Sequence, residues 1–195
     1  MTKRPPAVII ITGPKHSGKT SAGKALARLW EGLFPGGAAE FTDLDELVEK
    51  RTGKSPRTLY REGPQLFRRA EAEALQALLE GAGGDTIAAA GGGLADNGEA
   101  LKILKKCPAA LVVYIDVPAE TAWERIRAAA DKTGELPPFL NTENPRETHR
   151  QLHSRRGAVY RKLAKITVQA GNSPEETAAA ILCVLADTSG PPGAP

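Results

Sequence analysis

The chain is predicted to be an α/β protein of three layers, with a central five-stranded parallel sheet between two layers of helices. Three observations carry this. Short apolar runs alternate with helix-period segments along the chain, the pattern of strands joined by helical crossovers. The first apolar run opens straight into a glycine-rich turn and then a helix-compatible stretch. The second run ends on paired carboxylates, at the edge where open parallel sheets collect ligands.

The first strand, 8–12, is wholly β-branched. Further strands are expected at 39–42, 86–90, 110–116 and 165–169. The third is weak on propensity, because alanines stand where β-branched residues are usual. Helices are expected at 19–33, 43–51, 64–80, 97–106, 119–130, 145–164 and 174–186. The last carries a start signal, Ser173 ahead of Pro174-Glu175-Glu176. Residues 131–144, DKTGELPPFLNTEN, interrupt the helical period with a glycine and adjacent prolines and are expected to form a mobile loop. Residues 1–187 make one domain, and the Pro/Gly-rich stretch 188–195 is expected to be a disordered tail.

Composition narrows the class. Charged residues are 25% and hydrophobic residues 41%, the balance of a soluble globular domain. A net charge of +3 suits an anionic substrate but is too small and dispersed for nucleic-acid binding. No apolar stretch would span a bilayer, so no membrane role and a cytoplasmic location are expected. Cys107 and Cys183 show no metal-ligand spacing and read as reduced thiols. A monomer is the expectation for a chain of this size.

Residues 13–20 read GPKHSGKT, that is Gly13, four residues, then Gly18-Lys19-Thr20. Placed between a strand and a helix, this is a phosphate-binding loop, whose backbone N–H groups converge on an anion at the helix N-terminus. Lys19 would reach the β- and γ-phosphates of a nucleoside triphosphate, and the Thr20 hydroxyl would hold Mg²⁺. Pro14, Lys15, His16, Ser17 and Ser21 complete the ATP-contacting stretch.

Asp43 and Asp45 close the second strand. Two apart, they share a face if the strand continues, one for a metal and one for a substrate hydroxyl. The same residues are also good helix caps, and spacing alone favours capping. Arg68 and Glu71 share a helix face three residues apart, a pattern that elsewhere is a solvated ion pair. Gly91-Gly92-Gly93 after a strand is either a plain turn or a place where bare backbone approaches a ligand.

Taken in order, the loop GPKHSGKT, the DLD of 43–45, the FRRAE of 67–71 and the triple glycine resemble the shikimate kinase family. The resemblance runs from about Val8 to Val184. It implies a P-loop kinase fold with a lid at about 131–144, and transfer of the ATP γ-phosphate to the 3-hydroxyl of shikimate, with ATP and shikimate as the partners. Mg²⁺ would then be supported by Thr20 and Asp43. Asp45 would bind the shikimate hydroxyls and act as base. Arg68 and Arg156 would grip the carboxylate, Glu71 would orient the cluster, and Gly91, Gly92 and Gly93 would offer backbone contacts. Arg125 and Pro174 match positions that sandwich adenine.

This chain also departs from the family pattern. Pro137 stands where the family lid carries an arginine, a group type worth about 10³–10⁵ in rate where it supplies transition-state charge. Lys15, Lys132, Arg146 and Arg150 are candidate replacements, and Lys15 is favoured as a catalytic residue because the loop holds it near the phosphates. His16 replaces a usual glycine and is expected to be a solvated loop residue. Two other readings stay open: a kinase for another small carboxylated polyol, and a degenerate nucleotide-binding module.

Overall fold

The computed structural model describes residues 8–34 and 37–188; most of the expected tail, 189–195, lies outside them, whereas Thr188 ends the last helix. The strands are β1 (Val8–Thr12), β2 (Ala39–Asp43), β3 (Asp85–Ala89), β4 (Ala110–Asp116) and β5 (Ile166–Gln169). Their order is β2-β3-β1-β4-β5, and every pairing is parallel. The helices are α1 (Lys19–Leu33), α2 (Leu44–Thr52), α3 (Pro56–Glu62), α4 (Pro64–Gly81), α5 (Gly98–Lys106), α6 (Ala119–Thr133), α7 (Pro145–Leu163) and α8 (Pro174–Thr188).

Strand alternation divides the core between two faces. Ile9 and Ile11 of β1, with Ile87, Val113, Ile115, Ile166 and Val168, point toward α1 and α8. Val8 and Ile10, with Ala88, Val112 and Tyr114, point toward α2, α4, α5 and α7. A strand covered on both faces reads as a continuous apolar run, which is why β1 shows no polar alternation. On α1, Ala22, Ala25, Leu26 and Trp30 recur at helical spacing and are all buried. Trp30 also donates Nε1–H to Asp85 Oδ2 at 2.7 Å, tying α1 to the start of β3.

Most boundaries fall within a residue or two of expectation. The weak third strand forms at the second position in the sheet, flanked on both sides, and Ala90 still donates to Ile11 O beyond its end. Small side chains cost β-propensity but are compatible with complete burial between two strands. Helix α3 was not expected. Its signals were in the sequence: Ser55 caps it through Thr58 N–H, Pro56 occupies the first turn, and Gly63 ends it.

The expected loop at 131–144 is more structured than its composition suggests. Residues 131–133 continue α6, which stops at Gly134 in the left-handed region, with Gly134 N–H on Ala130 O at 2.7 Å. A 3-10 turn at Pro138–Leu140 then drives Leu140 into a small core with Trp123 and Ile126. All described peptide bonds, those of Pro137 and Pro138 included, are trans.

Strand β1 has β3 on one side and β4 on the other, so the chain's winding reverses there and a crevice opens at the C-terminal edge. The register places Ile11 and Asp43 both opposite Ala89. The ends of β1, β2 and β3 therefore deliver their following loops side by side.

Trp30→Ala should lower unfolding free energy by about 3–5 kcal/mol, since it empties a large buried site and removes the Asp85 bond. Urea denaturation of both proteins measures this.

Candidate active site

The loop after β1 turns back on itself before α1. Gly18 caps α1 in the left-handed region, and His16 adopts φ 60°, a strained choice for a residue with a side chain. Ser17 N–H returns to Pro14 O at 3.2 Å. Lys19 is 8% exposed and donates Nζ–H to Pro14 O at 2.8 Å, which holds the ammonium over the loop. Burial lowers its pKa to about 8, opposed by the charge of Asp45. Lys15 is exposed at the mouth of the loop.

His16 is half-buried rather than solvated, and burial, with the cations Lys15, Lys19 and Arg125, lowers its pKa to about 4. It is therefore a neutral imidazole at pH 7. Arg125 donates to His16 O at 3.2 Å, which brings that arginine to the loop. Pro174 sits at the start of α8 and lines neither of the two cavities described below.

Asp43 is both the last residue of β2 and the N-cap of α2. Its Oδ1 accepts Asp45 N–H at 2.9 Å, and its Oδ2 accepts the Thr20 hydroxyl at 2.7 Å. Strand geometry is thus not what aligns Asp43 with Asp45, because Asp45 already lies in the first turn of α2. Capping and contact with the loop coincide here: one carboxylate oxygen holds the helix while the other accepts from Thr20. Asp45 Oδ1 is buried without a hydrogen-bond partner, and burial, reinforced by Asp43, raises its pKa.

The triple glycine closes the site from the β3 side. A Cβ on Gly92 would lie 2.9 Å from Lys15 N, and one on Gly91 would lie 2.7 Å from Glu71 Oε1 and 3.0 Å from Asp45 Oδ1. Only bare backbone fits at Gly92, where the obstacle is itself backbone; at Gly91 an added carbon would have to displace the two carboxylates. Glu71 is fully buried; Asn97 donates Nδ2–H to its Oε2 at 2.8 Å and to Arg68 O at 2.7 Å. Burial raises the Glu71 pKa to about 7, with Arg156 and Arg68 acting the other way.

Arg156 reaches the glycine turn from α7. It donates Nε–H and Nη2–H to Asp96 Oδ2 at 2.9 and 2.7 Å and Nη1–H to Gly92 O at 3.3 Å, with its guanidinium over the Phe139 ring. Tyr160, one turn later, donates its hydroxyl to the same Gly92 O at 3.0 Å. Asp96, Asn97 and Tyr160 were not singled out from sequence as supports. The one available signal was the spacing of Tyr160 four residues after Arg156.

Two cavities meet over this frame. One of about 290 Å³ is lined by the P-loop residues Lys15 to Ser21 (Ser17 excepted) with Asp43, Asp45, Ala90 and Gly92. The other, about 450 Å³, runs from Lys15, Asp45 and the triple glycine to Tyr60, Phe67 and Arg156, with Ile126, Pro137, Pro138 and Phe139 as an apolar wall. Lys15, His16, Asp45 and Gly92 line both. Arg68 lines neither cavity; it is half-buried and follows Phe67, which lines the larger one. Among the candidate replacements for a lid arginine, Arg146 pairs with Glu120 and Arg150 with Glu147, and neither of these nor Lys132 lines either cavity.

The family model for shikimate kinase matches residues 15–186. The chain belongs to the shikimate kinase family. A shikimate kinase of Aromatoleum aromaticum is 31% identical over 165 residues, covering 84% of this chain and 85% of that protein. Among solved structures, a shikimate kinase from Acinetobacter baumannii in complex with shikimate superposes with a TM-score of 0.79 at 28% identity, covering 96% and 97% of the two chains. The shikimate kinase from Aquifex aeolicus gives 0.73 at 31% identity, covering 93% and 97%. The family fold, a five-stranded parallel sheet flanked by helices, is the one described above.

Glu71 links this site to stability. Its native pKa of about 7 lies above the ordinary 4.5, so between those values the native state holds a proton that the unfolded chain has lost. Stability therefore falls as pH rises from about 4.5 through 7, by a few kcal/mol, and levels off above. Urea denaturation at pH 5 and pH 8 should show this fall in the wild type and a much smaller one in Glu71→Gln.

Proposed function

We propose that this protein transfers the γ-phosphate of ATP to the 3-hydroxyl of shikimate. The observation that supports this most is the meeting of the phosphate-side and acceptor-side cavities at Lys15, Asp45 and Gly92. A γ-phosphate on the loop and a hydroxyl at Asp45 would then be neighbours, and phosphoryl transfer asks chiefly for that positioning and for charge neutralisation.

Each residue takes a role its surroundings favour. The loop from Gly13 to Ser21 holds the triphosphate, with Lys19 directed over it. Asp45 orients the acceptor hydroxyl and takes its proton on the unpartnered Oδ1; burial raises its affinity for that proton. Arg156, which lines the larger cavity, and Arg68 hold the acceptor carboxylate, and the N–H groups of the glycine turn add to them. Glu71 and Asn97 keep the Arg68 end of α4 in place. Lys15, at the junction of both cavities, supplies the cation that the lid sequence Leu136-Pro137-Pro138-Phe139-Leu140 lacks. Arg125, bonded to the loop at His16 O, and Pro174, which lines neither cavity, are assigned to the adenine by family resemblance alone.

Mg²⁺ fits the Thr20 hydroxyl and the Asp43 carboxylate, two hard oxygen donors already in contact, with phosphate oxygens and waters filling the remaining positions. When bound, the ion would offset charge on the phosphates. A monomer acting on small molecules is the companion reading. Leu29 and Leu66, the large exposed apolar residues among those described, sit on different helices and make no patch. No described helix is long and apolar enough to cross a membrane, and a cytoplasmic location is part of this proposal.

ADP release from ATP and Mg²⁺, followed with shikimate, gluconate or CMP, tests the whole reading. Shikimate alone should stimulate it; stimulation by another acceptor would reassign the substrate, and none at all with intact ATP binding would point to a nucleotide-binding module. Asp45→Asn should lower kcat at least 100-fold with ATP binding nearly unchanged. Lys15→Ala should cost far more in kcat than Lys132→Ala, and the reverse order would move the missing cation into the lid.

A further inference from the structure

The lid segment brings no cation to the acceptor cavity, since residues 136–140 are all apolar. Arg57 does, from the first turn of the unexpected helix α3. Its Nη2–H lies 2.7 Å from Glu135 Oε1 and 3.4 Å from Leu136 O, which sets the guanidinium beside Pro137. The Nε is shut off from solvent and has no hydrogen-bond partner. Arg57 lines the larger cavity, with Tyr60, Phe67 and Arg156, and does not line the phosphate-side cavity.

Glu135 is shared. It also accepts from Arg61 Nη2 at 3.2 and 3.0 Å, so one carboxylate on the lid side faces two arginines of α3. If Arg57 turns to a ligand, Glu135 keeps Arg61 as its partner. An arginine with a spare buried donor and a replaceable exposed counter-ion is well suited to accept an anion, because guanidinium binds a carboxylate through two parallel donors.

We propose that Arg57 is a specificity-determining residue that binds the carboxylate of the acceptor, leaving Glu135 to Arg61 when the acceptor enters. This rests on the reading of the larger cavity as the acceptor site. Its confinement to that cavity distinguishes it from Lys15, which lines both and is placed to act on the phosphates.

Steady-state kinetics with shikimate and with its methyl ester, on the wild type, Arg57→Ala, Arg57→Lys and Glu135→Gln, test this. A charge-assisted contact predicts that Arg57→Ala raises the shikimate KM about tenfold or more, with kcat and the ATP KM changed less than about twofold. Arg57→Lys should recover part of the loss, and the penalty should vanish with the uncharged ester. Glu135→Gln should leave the shikimate KM unchanged or lower it. A fall in kcat at constant shikimate KM would place Arg57 on the transferring group and overturn the proposal. So would a Glu135→Gln penalty equal to that of Arg57→Ala, which would make the pair a strut between α3 and the lid. Should Arg57→Ala melt early, Arg57→Gln and the double variant with Glu135→Gln carry the same comparison. A wild type that shikimate does not stimulate removes the acceptor reading and this proposal with it; a stimulated wild type with an unaltered Arg57→Ala KM removes this proposal alone.

Discussion

The close approach of the glycine turn after β3 to the P-loop is the constraint on which the rest of the site depends. Gly92 lies so near Lys15 N that a single added carbon would force the two loops apart, and Gly91 occupies the gap between Asp45 and Glu71. Because backbone rather than side chain fills that space, Gly92 O is left to accept from both Arg156 and Tyr160. Helix α7 is thereby tied to the same few atoms that set the distance between the two cavities. The loops meet through this backbone approach, and the Arg156 and Tyr160 side chains tie α7 to it.

Around this contact the charges are buried and mutually compensating. Lys19 is pulled toward its neutral form by burial and held back by Asp45, while Asp45 is raised by burial and held back by Lys19. Such a pair interacts more strongly than it would in water, because solvent is excluded from the space between its members. Glu71 goes further: burial raises its pKa to about 7 against the hydrogen bond that Asn97 donates to one oxygen, while the other oxygen is unpartnered. A neutral Glu71 would spare Asp45 a second adjacent negative charge, leaving it as the carboxylate facing the acceptor side.

The far wall of the larger cavity has a different character. Isoleucine and alanine side chains from α6 and the Pro137-Pro138-Phe139 stretch cover it, with cationic groups entering from α3 and α7. On this side of the cavity, cationic charge therefore comes from α3 and α7 rather than from residues 136–140. The 3-10 turn anchors that segment by Leu140, which packs against Trp123 and Ile126 and fixes where the apolar wall stands.

Strand and helix periodicity, the P-loop and the order of its companion motifs are local features, and the sequence determined them by itself: among the described residues, the five strands, seven of the eight helices and the parallel layering follow from patterns a few residues long. Helix α3 was legible in principle from Ser55, Pro56 and Gly63, yet a seven-residue helix yields too short a period to stand out. The supporting shell was not legible. Asp96 meeting Arg156, Asn97 meeting Glu71, and Arg57 meeting Glu135 join residues 26 to 78 positions apart, and no spacing rule connects such distances. Nor did spacing reveal that Asp43 serves cap and loop at once, since its two oxygens are assigned only when Thr20 arrives from α1. Sequence could name candidate groups for the chemistry because each residue type is informative by itself. Only tertiary structure could decide their charge states and their partners, because burial and proximity between distant segments exist only once the sheet has brought them together.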